Sequence, residues 1–218
     1  MFQTHSKLHE SSNRRSDRGY SLIEILIVVA MIGILTALAV PQMIAERRLT
    51  RSLGVTREMM TQMRNARQFA MSQRQAFTFQ YDDTTKQISI IDHNSNPGTA
   101  LFADALYPNT AGSRVVSTVP LAVGGLVATE IRYGVPTGLP TGALGDGTSM
   151  TALTSGRVNI TFQPDGSVID GTGTPVGRAL YIFNSSQPRV TACAISVIGA
   201  SGRVKIWRFN EVANIYAE

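Results

Sequence analysis

Glu24 is the one formally charged side chain in the run "YSLIEILIVVAMIGILTALAVPQMIA", which occupies positions 20–45. An ionised carboxylate at the centre of a membrane helix costs about 2.5 to 3.5 kcal/mol, so this acid requires something to neutralise it. Other candidate chemistry is thinner. His5 and His9 are spaced as two helical metal ligands would be, but no third ligand lies near them. His93 falls in "DHNSNPG", which reads as an exposed polar turn. Asp82 and Asp83 read as the turn of a hairpin rather than as a cation site. With no phosphate-cradling glycine loop, nucleophile elbow or zinc motif, the residues argue against catalysis and call for neither metal nor cofactor.

The second constellation is "GRVKIWRF" near the carboxy terminus. As a strand it sets Arg203, Lys205 and Trp207 on one face and Val204, Ile206 and Arg208 on the other. The cations would neutralise phosphates and Trp207 would stack on a base, which is the chemistry of nucleic-acid binding. A solvated edge strand guarded by charge accounts for the same residues. Arg57, Arg64, Arg67 and Arg74 would extend such a patch, or face solvent or neighbouring subunits.

The elements that must position these residues follow from composition and pattern. At 218 residues and 43% hydrophobic, the chain is long enough for one packed domain and an appendage. Of its net charge of +5, two units precede Gly19, so the remainder is no polycation. Cys193 is the only cysteine, which excludes an intrachain disulfide, and its setting in "VTACAISVI" reads as a buried strand thiol.

From Ile25 to Ala45 there is no formal charge, and as a helix this stretch is about 31 Å long, the thickness of a hydrocarbon core. Gly33 and Pro41 lie inside it, and Pro41 is expected to bend or loosen the helix because it removes an amide donor. Arg14, Arg15 and Arg18 favour a cytoplasmic amino terminus, although Arg47, Arg48 and Arg51 on the far side weaken that bias. The "ALA" at 37–39 would pass for a secretory cleavage site, but good helix formers continue to about residue 75 and predict one helix over about 20–75. Leu49, Leu53, Met60, Met63, Ala66 and Ala70 supply its packing stripe.

Beyond residue 75 the pattern alternates. Two strands are expected around a turn at Asp82 to Thr85, then strands at Arg114 to Val119, Ala128 to Tyr133, Val158 to Gln163, Ser167 to Asp170, Ala179 to Asn184, Val190 to Ile198 and Arg203 to Phe209. Stretches 93–113 and 134–156, rich in Gly, Thr, Pro and Ser, read as surface loops. The expected fold class is α+β, an antiparallel sheet packed on the distal half of the helix.

The segment "GYSLIEILIVVAMIGILTALAVP" resembles the amino-terminal signature of type IV pilins and pseudopilins. The resemblance implies that a prepilin peptidase cuts between Gly19 and Tyr20 on the cytoplasmic side and that the new amine of Tyr20 is methylated. Glu24 then stands at the fifth mature position and Pro41 at the twenty-second. Tyr20 replaces the more usual phenylalanine, Ser21 the more usual threonine, and the leader of residues 1–19 is longer than many. Cleavage places a positive amine four residues before Glu24, within a subunit or on a staggered neighbour, and pairing offsets the burial of both charges. The family implies the intersubunit version. A glutamate snorkelling to the interface is the bland alternative.

Three further stretches, "MRNARQFAMSQRQAFTFQYD", "VNITFQPDGSV" and "ISVIGASGRVKIW", resemble the GspH/FimT group of minor pseudopilins and minor pilins. The implied organisation is a cleaved leader (1–19), a long helix (20–75, membrane part about 22–45) and a periplasmic β-rich domain (76–218). The implied function is a non-enzymatic subunit of a type II secretion pseudopilus or a type IV pilus, near its tip. Its partners would be other pilins or pseudopilins, the peptidase, the inner-membrane assembly platform and lipid. Some FimT-like pilins bind DNA through a basic glycine-arginine tail motif, in which Lys205 here replaces the second arginine, so DNA uptake is the second reading and a membrane-tethered enzyme the third.

Overall fold

The computed structural model describes residues 20–93, 113–123, 126–170 and 174–218. The expected leader with Gly19, His5 and His9, and most of the expected loop at 93–113, lie outside the described residues. The chain divides into two compact units, Met1–Ile44 and Ala45–Glu218.

Helix α1 (Leu22–Gln73) is 52 residues long and holds Pro41 within it. Pro41 has no amide hydrogen to offer the carbonyl of Ala37. In the first unit every described residue is exposed, and α1 supplies there a segment long and apolar enough to cross a membrane. The helix stops where Arg74 turns left-handed, with φ 54. The amide of Gln75 then reaches back to the carbonyl of Ala70 at 3.2 Å, the closing bond of a Schellman cap.

In the second unit a stripe on α1 is buried: Val55, Met59, Met63, Ala66 and Ala70, joined by the polar Ser52 and Thr56. It differs from the expected stripe by a rotation. Leu49, Leu53 and Met60 are half-buried flanks, because the polar Ser52 and Thr56 take up contacts that the apolar pattern does not show. Ser52 accepts a hydrogen bond from the Asn184 amide at 2.7 Å.

Among the described residues two antiparallel sheets form where one was expected. The first, in spatial order β3-β2-β1-β5, joins β1 (Phe77–Asp82), β2 (Gln87–Asp92), β3 (Arg114–Pro120) and β5 (Arg157–Phe162). The second, in order β4-β6-β7-β8-β9, joins β4 (Ile131–Tyr133), β6 (Arg178–Asn184), β7 (Cys193–Val197), β8 (Val204–Asn210) and β9 (Ile215–Ala217). One apolar cluster gathers the α1 stripe, Phe77, Phe79, Tyr81, Ile160 and Phe162 of the first sheet, and Leu180, Ile182, Ile195, Val197 and Val204 of the second.

Several boundaries depart from expectation. Ala128–Glu130 is a 3-10 turn leading into β4. Ser167 to Asp170 makes only isolated bridges, since the Asp165–Gly166 turn folds it straight back. Pro188–Thr191 is a helical turn, α2, with Pro188 at its start, so the strand expected from Val190 begins at Cys193. Strand β9 is additional to the expected set. Stretch 134–156 is more than a surface loop: Leu139 and Leu144 fold onto the outer face of the second sheet and join Tyr181, Trp207 and Tyr216 in a second cluster.

His93 is likewise not an exposed turn residue, being 1% exposed. Its Nε2 lies 2.8 Å from the Thr78 hydroxyl, which is 2.8 Å from that of Thr161. Beside them the Gln80 amide donates to Asn159 at 2.9 Å. These are the residues that alternate with the apolar ones on β1 and β5, so the first sheet is buried on its polar face as well. Burial pushes His93 down to about 4, against the pull of Asp92.

Two outcomes are expected for the full chain in detergent, with the single tryptophan as reporter. Met63→Ala, at a fully buried site, should cost about 2 to 5 kcal/mol in denaturant unfolding, whereas exposed Arg57→Ala should stay within about 0.5 kcal/mol. As pH falls below the ordinary histidine value of 6.5, the unfolded chain takes up a proton that folded His93 refuses until about 4. Stability present above that range is therefore lost through it. The melting temperature should drop between about pH 7 and about pH 5, and His93→Gln should shrink the drop. An unchanged drop would show that another group is responsible.

Candidate functional site

Glu24 lies in the first turn of α1, just after Tyr20, which is 78% exposed. The helical hydrogen bonding starts there, with the Ile25 amide donating to the Ser21 carbonyl at 3.2 Å. Four unsatisfied amides and the positive end of the helix dipole occupy this same terminus, so a carboxylate in the first turn is stabilised by the helix that carries it. It remains the one formal charge from Tyr20 to Ile44. Side chains from Leu22 to Ile44 are all exposed, including Ile25, Leu26, Val29, Ile32 and Leu35. The Thr36 hydroxyl donates to the Ile32 carbonyl at 2.6 Å, so the polar group at mid-segment is satisfied without water.

The carboxy-terminal constellation is arranged differently from its strand pattern. Trp207 is 6% exposed, its indole N–H donates to the Ser196 hydroxyl at 2.8 Å, and that hydroxyl donates to Asp146 at 2.5 Å. Gly145 lies against the ring, where a Cβ would stand 3.1 Å from Cη2 and Cζ3. Trp207 is therefore a core residue beneath the 134–156 stretch and offers no open face for a base. Burial works to raise Asp146, but the hydrogen bonds from Ser196 and Thr148, with Lys205 nearby, hold it below the usual carboxylate range.

Lys205 lies 5.2 Å over the Trp207 ring and pairs with Glu218 at 2.5 Å. Arg203 reaches the other oxygen of Glu218 at 4.0 Å. The residue after β9 thus lays an acid beside Arg203 and Lys205 at the start of β8, a pairing that the strand pattern of β8 alone does not reveal. Arg208 is exposed and stands opposite Cys193 in the β7–β8 register. Burial pushes the Cys193 thiol up, and at 2% exposure it is the core strand thiol expected from sequence.

Arg203 instead keeps company with the arginines of α1. Arg67 donates to the carbonyls of Ser201 at 2.9 Å and Gly166 at 3.3 Å, tying two turns to the helix. The turns meet closely: Gly202 has φ +60, and a Cβ on it would lie 1.8 Å from the Gly166 carbonyl oxygen. Beside this clamp, Arg64, Arg67, Gln68, Met71, Ser201 and Arg203 line an open groove of about 770 Å³. Arg57 is exposed elsewhere on α1, and Arg74 is exposed just past its end. In the β1–β2 turn, Asp82 accepts from the amides of Thr84 and Thr85 and from Arg157. Asp83 accepts from Tyr81 and Lys86, so both are turn residues. Among the described residues no cluster of three or more metal-ligating side chains occurs.

A family model described as the prokaryotic N-terminal methylation motif matches residues 14–40. Those residues contain Gly19, Tyr20 and Glu24 and most of the apolar half of α1. No curated protein sequence gives a significant match. Among solved structures, the type IV minor pilin FimU of Pseudomonas aeruginosa (strain PAO1) is similar at 15% identity and a TM-score of 0.41, over 70% of this chain and 85% of that one. The methylation motif at residues 14–40 thus heads a chain of α+β architecture, a long helix followed by antiparallel strands.

Proposed function

We propose that the chain is a minor pilin-like structural subunit with no enzymatic role, cut between Gly19 and Tyr20 and methylated on the Tyr20 amine. The apolar half of α1 holds it in the inner membrane as a single pass, with residues 76–218 in the periplasm. From there it enters a type IV pilus or a type II secretion pseudopilus, near the tip, in company with other pilins and the assembly platform. The carrying observation is the position of Glu24, a lone acid in the first turn of an otherwise uncharged helical segment whose side chains are exposed throughout. Its carboxylate answers a terminal amine that exists only once the leader is gone, so pairing with a staggered neighbour couples processing to recruitment.

DNA uptake is the weaker reading, because Trp207 is buried and Lys205 is paired with Glu218. What supports it is the exposure of Arg203 and Arg208. Pro41 has a place in the first reading as a point where α1 lacks one backbone donor and bends at lower cost.

The test is Glu24→Ala in cells that assemble filaments. Leader removal, read as a mobility shift, should be unaffected. Incorporation into sheared filaments should fall to background, since leaving a buried amine without its partner costs about 3 to 5 kcal/mol. Incorporation at the level of the unaltered chain would overturn the pairing mechanism.

A further inference from the structure

The groove beside the Arg67 clamp has a chemistry of its own. Among the described residues three arginines and no acid line it, Glu218 standing 4.0 Å from Arg203 outside the lining, and its apolar wall includes Met71, which is 39% exposed. Among the described residues no aromatic side chain lines it, so they offer no stacking platform of the kind that single-stranded nucleic acid uses. It suits a carboxylate set next to an aliphatic side chain.

The same unit presents that combination on a rigid projection. Between β8 and β9 the chain turns through Glu211, Val212, Ala213 and Asn214. The turn is preformed: the Asn210 side chain accepts from the amides of Val212 at 3.0 Å and Ala213 at 3.1 Å, and Asn214 is left-handed with φ 51. At its apex Val212 is 99% exposed, and Glu211 beside it is exposed too. A fully exposed valine at the apex of a turn held by two hydrogen bonds is an unfavourable way to end a hairpin in water, and an effective way to make a knob.

Knob and groove cannot meet within one chain. Arg203 immediately precedes β8 and Glu211 immediately follows it, so an extended strand holds them roughly 25 Å apart. We propose that the groove of one copy receives the β8–β9 tip of a second copy, with Glu211 against Arg64 and Arg203 and Val212 against Met71. The contact is head-to-tail, and each copy keeps one free groove and one free knob, the arrangement that builds open arrays rather than closed dimers. It needs nothing from Glu24 or from the apolar segment and goes beyond the assembly reading above.

The test uses two differently tagged full-length copies in one membrane, one carrying Gln68→Cys and the other Val212→Cys. Cys193 is buried and stays silent. Mild oxidation should give a mixed-tag disulfide dimer, absent when exposed Thr137→Cys replaces either partner. Adding Arg64→Glu to the groove copy should cut the yield about tenfold, and Glu211→Arg on the knob copy should restore it. Adding Glu24→Ala to both copies should leave the dimer in place, which separates this contact from the pairing at the amino terminus. Yield no higher than with Thr137→Cys, or yield indifferent to Arg64→Glu, would overturn the contact. Loss of the dimer on adding a single-stranded DNA of about 20 nucleotides would assign the groove to nucleic acid instead.

Discussion

The second unit rests on five side chains of α1. Val55, Met59, Met63, Ala66 and Ala70 meet residues of both sheets in one apolar cluster, so neither sheet has a core of its own on that side. Two of the five are alanines with no exposed surface. Small residues there let strands approach the helix backbone, and the large rings of Phe77, Phe79, Tyr81 and Phe162 fill the space above. The helix is therefore a shared wall. The Schellman cap at Arg74 releases the chain into β1 within a few residues, where Phe77 can reach the cluster.

Each sheet also covers its second face, by different means. The first sheet buries a row of hydrogen-bonded polar groups, Thr78, Thr161, Gln80 and Asn159, alongside His93. Such a row is stable only when its members satisfy one another. The second sheet is roofed by the stretch containing Leu139 and Leu144, and the Trp207, Ser196 and Asp146 chain of hydrogen bonds pins that roof to β7 and β8. A polar thread through an apolar layer fixes where the roof sits, since Asp146 finds the Ser196 hydroxyl at one position only.

What can be read from sequence follows the physics of each signal. The apolar segment with Glu24 is legible because a run of that length without another charge is the pattern a hydrocarbon core demands. The α+β class follows from the change from helical period to alternation near residue 75. Alternation separates the faces of β8 but does not say which is covered. That depends on Gly145, about sixty residues away in sequence, and on Glu218 just after a three-residue strand too short to carry a pattern. His93 is illegible for the same reason: its neighbours in sequence are turn formers, while its partner Thr78 lies on β1. The expected single sheet is two because strand pairing is set by long-range packing that local propensity does not encode.

The turn glycines have a consequence for how the sequence can change over time. Gly202 and Gly166 stand backbone to backbone, with Arg67 bridging the carbonyls of Ser201 and Gly166. A side chain at position 202 would push the Gly166 turn away, whereas one at position 166 would meet Met71 and Arg67 of the helix. A change at position 202 is therefore conditional on room being made in a turn far from it in sequence, while one at position 166 is conditional on the helix.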